Sequence, residues 1–71
     1  MNFELKRLNK IHFFLGSKPV TQEIMAQVPA VGDVVRVAEN IYGRVYEVTW
    51  CLDEDSSPYT RANVGLVEIE E

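Results

Sequence analysis

The sequence has few of the residues from which catalytic and metal sites are usually built. Among its 71 residues there is one cysteine, Cys51, and one histidine, His12. A single cysteine excludes a disulfide framework within the chain and fits a reducing compartment. A single histidine disfavours metal sites and catalytic triads, and nothing in the spacing brings His12 to Cys51 as its base. We therefore expect no catalytic residue, no metal and no cofactor.

Long apolar runs, glycine-rich loops, linkers and repeats are also lacking. The longest apolar run near the N-terminus, residues 11–15, contains His12 and is too short for a signal-peptide core or a bilayer span. Gly32 and Gly43 are isolated, so they suit a turn and a bulge better than a phosphate-binding loop. These absences predict one domain over residues 1–71, a cytoplasmic location and no membrane contact.

The short chain limits what the fold can do. A domain of this size needs nearly all of its large apolar side chains to offset the conformational entropy lost on folding. Trp50, the largest of them, is therefore expected in the core. Little apolar material is left to line a deep active site, so we expect a binding protein and not an enzyme.

Charge is divided unevenly along the chain, whose net charge is −4. Residues 1–36 carry +2 and residues 37–71 carry −6 when their charged side chains are counted. The basic half predicts a positive strand face, and the acidic residues after position 52 predict one acidic surface if the last strand runs beside their loop. Tyrosines in connections suit partner contacts. The candidate partner contacts are Lys6, Lys10, His12, Tyr42, Asp53, Glu54, Asp55 and Tyr59, and the other members of the expected acidic surface are Glu68, Glu70 and Glu71.

The first part of the chain alternates between apolar and polar residues. Residues 3–15 have this period of two, which favours a strand, although Leu5, Leu8 and Ile11 also have helical spacing. Residues 16–19 are typical of a turn. Residues 20–28 fit either a short helix capped by Thr21 or a second strand, and the short turn before them favours a hairpin.

The rest of the chain predicts three more strands. They cover residues 34–37, 44–52 and 62–69, and residues 39–43 and 53–58 form connections. In the second of these strands Tyr46, Val48, Trp50 and Leu52 share one face, and in the third Val67 and Ile69 alternate with acidic residues. The predicted fold is mainly β, either a strongly bent antiparallel sheet or a small five-stranded open barrel, with one short helix as an option.

Three segments resemble short uncharacterised proteins of bacteriophages and prophages. They cover residues 28–35, 43–55 and 64–71, and they form a strand-and-turn pattern without a catalytic signature. The resemblance implies an accessory protein of a mobile element, of unassigned role, and it transfers no functional residue.

The expected function is protein binding without catalysis, including pairing of two copies through an exposed strand edge. One alternative is nucleic-acid binding by the basic N-terminal strand, which the net negative charge disfavours. The other is an acidic inhibitor that occupies the groove of a nucleic-acid-binding enzyme.

Overall fold

Five strands make up the structure, a computed structural model that describes residues 8–53 and 59–70. In this part of the chain there is no helix. The segment that fitted either a helix or a strand, residues 20–28, therefore contains a strand. The helix alternatives for this segment and for the first part of the chain are wrong for the residues described. The strands are β1 (Asn9–Leu15), β2 (Lys18–Met25), β3 (Val34–Ala38), β4 (Ile41–Trp50) and β5 (Thr60–Ile69).

The strands form a single sheet in the order β2-β1-β5-β4-β3. The sheet curls through 240° into a half-barrel, which confirms the prediction of a strongly bent sheet or open barrel. It is mixed and not purely antiparallel, because β5 lies between the two hairpins. Strand β5 runs antiparallel to β4 and parallel to β1.

Both hairpins have two-residue turns, and each turn contains a residue type that suits its backbone conformation. Gly16 has a φ of 62° at the first position of the turn between β1 and β2, where a type II′ turn calls for glycine. Asn40 has a φ of 64° in the turn between β3 and β4, and asparagine enters this left-handed region more readily than most residues. This turn is shorter than expected, so β4 begins at Ile41. Gly43 lies inside the strand and is not a bulge.

The core lies on the concave face of the half-barrel, on the three inner strands β1, β5 and β4. Partners across the sheet share a face, and the pairs include Ile11 with Ala62 and Phe13 with Val64. Gly43 allows this packing, because a Cβ there would lie 2.8 Å from the Cβ of Leu66. The fully or nearly fully buried side chains are Ile11, Phe13, Val45, Ala62, Val64 and Leu66.

Trp50 is not in the core, contrary to the sequence prediction. A bulge at Tyr46 directs Val45 and Val48 to the concave face, and Trp50 lies 49% exposed near the end of β4. The cause is the length of β3, which pairs only with residues 41–44 of β4. Trp50 therefore has a paired strand on one side only, within the residues described. Val67 is also exposed, because β5 buries its even-numbered residues and not the predicted odd ones.

Candidate functional site

The two edges of the sheet face each other across an open groove. Strands β2 and β3 are the outermost strands, and no strand among residues 8–53 and 59–70 pairs with the outer side of either. An edge strand presents a row of backbone N–H and C=O groups to its surroundings. Because the sheet curls so far, the two rows border one groove. We call this groove the seam; its walls are β2 (Lys18–Met25) and β3 (Val34–Ala38).

The seam is about as wide as one additional strand. The five strands have four inter-strand spacings over 240°, so each spacing covers about 60° of the circle. The 120° left open therefore corresponds to two spacings, which is the room that one inserted strand needs.

Three cavities follow the seam from end to end. The middle one, of about 410 Å³, has Phe13 among its lining residues, with Thr21, Glu23 and Met25 from β2 and residues 34–37 from β3. A second, of about 560 Å³, lies near the hairpin turns and includes Val20, Val37 and Glu68. A third, of about 330 Å³, lies where the connection 26–33 joins the walls. The seam is thus a groove with an apolar floor and a few polar side chains.

A bulge in β2 decides which side chains enter the seam. Phe13 pairs with Thr21 and Phe14 with Pro19, which leaves Val20 as an extra residue. Val20 packs on the core, and Thr21, Glu23 and Met25 line the middle cavity. Simple alternation would place Val20 and Ile24 on one face, but because of the extra residue Ile24 pairs with Lys10 on the convex face.

Glu23 is the acidic residue of the middle cavity, and Arg36 on the opposite wall is its basic residue. The partner of Glu23 on β1 is Ile11, which is fully buried, so Glu23 lies beside an apolar side chain of the core. Within the described part of the chain the Glu23 carboxylate has no hydrogen bond and no ion pair. It is therefore available to a cation that enters the seam.

Both walls carry features that limit indiscriminate edge pairing. Proline, bulges, inward-pointing charges and short strands are the usual means by which proteins protect a sheet edge. Strand β2 has Pro19, the bulge at Val20 and the charge of Glu23, and β3 has five residues with a bulge at Val37. These features hinder pairing of the two outer strands with an arbitrary exposed strand.

The predicted contact residues lie elsewhere. Lys10 and His12 are on the convex face, as the alternation predicted, but they are half-buried. Tyr42 and Tyr59 were expected in exposed connections, which is wrong. Tyr42 lies within β4, paired with both Arg36 and Ile69, and Tyr59 forms a bridge just before β5; both are half-buried.

Two described members of the expected acidic surface, Asp53 and Glu68, lie far apart. Asp53 is exposed in the turn after β4, near the start of β5, whereas Glu68 pairs with Gly43 near the other end of that strand. The eight residue-to-residue steps from Thr60 to Glu68 span about 26 Å of extended chain. Glu68 also lines the seam and not the expected surface. The remaining predicted contacts Lys6, Glu54 and Asp55, with Glu71, lie outside the described residues.

The structure does not bring His12 and Cys51 together. His12 is on β1 and Cys51 follows β4, so β5 lies between them and separates them by about 10 Å. The Cys51 thiol contacts the carbonyl oxygen of Thr49 at 3.9 Å. No group of three His, Cys, Asp or Glu side chains in residues 8–53 and 59–70 could hold a metal ion. The same residues include no helix able to cross a membrane.

No protein-family model, curated protein or solved structure matches this chain. Sequence reasoning missed the seam residues Thr21, Glu23 and Val35. One signal was present, because a proline inside a predicted strand, here Pro19, is typical of a sheet edge.

Proposed function

We propose that this chain is a protein-interaction module that binds an extended segment of another protein as a sixth strand in the seam. The observation that supports this is the pair of outer strands, β2 and β3, that border one groove of a sheet curled through 240°. In strand addition, main-chain hydrogen bonds supply affinity and pockets for alternate side chains supply specificity. Here the inserted strand bonds to two edges and closes the barrel.

The walls define the length and direction of the segment. Strand β3 has five residues, so no more than about five residues of the segment contact both walls. The pairings make β2 and β3 antiparallel to each other. The segment is therefore antiparallel to one wall and parallel to the other. Every second side chain faces the apolar floor formed by Phe13, Val35 and Val37.

Other expectations stay predictions. They include the phage or prophage accessory role, the absence of catalysis and the cytoplasmic location. Pairing of two copies through a strand edge stays a prediction as well, and it would use the same outer strands, β2 and β3. The nucleic-acid and acidic-inhibitor alternatives depend partly on Lys6, Glu54 and Asp55, which lie outside the described residues.

Selection from a library of random extended peptides tests the proposal. A selected peptide should shift the backbone amide NMR signals of both β2 and β3 when it is titrated into the labelled chain. Thr21→Trp fills the middle cavity and should weaken binding by about tenfold or more.

A neighbouring residue of the same strand provides the matched control. Gln22 is exposed and pairs with His12 on the convex face. Gln22→Trp should leave affinity within about twofold of the unsubstituted chain. Equal losses from the two substitutions, or shifts confined to the convex face, would rule out the seam as the binding site.

A further inference from the structure

We infer that the bound segment carries a lysine or arginine that faces Glu23, with an apolar residue two positions away on each side. This inference rests on the strand addition proposed above and adds the chemistry of the partner. The class of ligand is an extended peptide of the pattern apolar–x–Lys/Arg–x–apolar.

The position of Glu23 on the wall requires the basic residue. In neighbouring strands, directly opposite side chains have Cβ atoms about 5 Å apart, so an inserted residue on the concave side contacts Glu23. On its other side Glu23 has the buried Ile11, which offers no charge. The other basic residue of this cavity is Arg36 on the opposite wall, and an inserted strand lies between it and Glu23. A carboxylate covered by a strand without a cation therefore loses water and gains no partner, which is costly. A basic side chain removes this cost.

The neighbours of Glu23 require the apolar residues. Thr21 and Met25 lie two positions away on the same wall and face the same cavity. The inserted side chains opposite them lie above Phe13, Val35 and Val37, all of which belong to the core or pack on it. Because alternate residues of a strand share a face, the apolar positions are two residues from the basic one.

A second copy of this chain is a poorer occupant. Among the described residues, the only stretches longer than a tight turn outside the strands are 26–33 and 51–53. The first is tied down, because the Ala30 amide donates to the Asp33 carboxylate at 2.9 Å and the Gly32 amide donates to the Val45 carbonyl at 2.9 Å. It is not free to enter another seam as a strand.

A charge exchange between peptide and protein tests the inference. The probes are two synthetic peptides, acetyl-TVTKTVT-amide and acetyl-TVTETVT-amide, titrated into the labelled chain and followed by amide NMR shifts. The lysine peptide should bind about three- to tenfold more tightly, since opposite charges across two strands attract and like charges repel. With Glu23→Lys the preference should reverse.

Glu47→Lys is the matched control. Glu47 is also an exposed strand glutamate, but it pairs with Gly65 on the convex face. This variant changes the net charge equally and should keep the preference for the lysine peptide. If both peptides bind in the seam with equal affinity, the inference about Glu23 is wrong and strand addition stands. If neither peptide shifts β2 or β3, strand addition itself is contradicted.

Discussion

Gly43→Ala should destabilise the fold, although alanine is usually tolerated better than glycine in a strand. The added Cβ would lie 2.8 Å from the Cβ of Leu66 and 3.1 Å from its Cδ1. Carbon atoms in contact normally lie 3.5–4.0 Å apart, so one of the two strands has to move by about 0.7 Å or more. Leu66 is fully buried and its Cβ is fixed to the backbone, so rotation of its side chain cannot relieve the contact.

Overpacking of this kind costs about 1–3 kcal/mol. The smaller entropy of the unfolded alanine variant offsets about 0.4–1 kcal/mol of this. The expected net loss is about 1–2 kcal/mol, or roughly 5–15 °C in the melting temperature of so small a domain. Urea and thermal unfolding followed by circular dichroism measure both quantities.

Gly65→Ala is the matched control for this prediction. Its Cβ would meet the Tyr46 ring at 3.0 Å, but that side chain is 49% exposed and can swing into solvent. We expect a change within about 0.5 kcal/mol. The reasoning is refuted if Gly43→Ala is as stable as the unsubstituted chain, or if the two substitutions cost the same.

Three further predictions concern stability and are measured by the same unfolding experiments. Phe13→Ala should cost about 3–5 kcal/mol, because Phe13 is only 2% exposed, whereas Trp50→Ala should cost less than half as much. Asn40→Val should cost about 1–2 kcal/mol because of its positive φ, whereas Asn40→Gly should cost almost nothing. Asp33→Ala should cost about 0.5–1.5 kcal/mol through the lost bond to the Ala30 amide. Reversed rankings within the first two pairs, or an unchanged Asp33→Ala, would contradict these packing, backbone and hydrogen-bond arguments.

Alternation and turn residues were enough to predict the five strands and the bent sheet. Gly16 and Asn40 lie in the turns of the two hairpins, and the alternation around Ile11 and Phe13 marks a buried strand face. These are local signals, because they depend on residues close together in the chain. They predict where strands lie and which turns join them.

The faces of β2, β4 and β5 could not be predicted in the same way. One extra residue at Val20 and another at Tyr46 reverse the orientation of the residues that follow. A bulge depends on the partner strand, which alternation does not reveal. Trp50 is half exposed for a different reason, because its size predicts a core position but the short β3 does not reach it.

The candidate site could not be predicted from the sequence either, because it depends on the order and register of the strands. The seam exists because β5 joins the two hairpins and leaves β2 and β3 as facing edges. Glu23 appears in the sequence as one more polar residue of an alternating strand. Its place beside the buried Ile11 follows from the register of β1 and β2, which needs the folded structure.

Intermolecular NMR contacts between a selected peptide and the labelled chain test strand addition most directly. We expect backbone nuclear Overhauser effects from one peptide to both β2 and β3, together with slower amide hydrogen exchange on both strands. The contradicting result is a set of direct backbone contacts between β2 and β3 in the presence of peptide, with no contacts to the peptide itself. It would show that the barrel closes on itself and that the seam holds no strand.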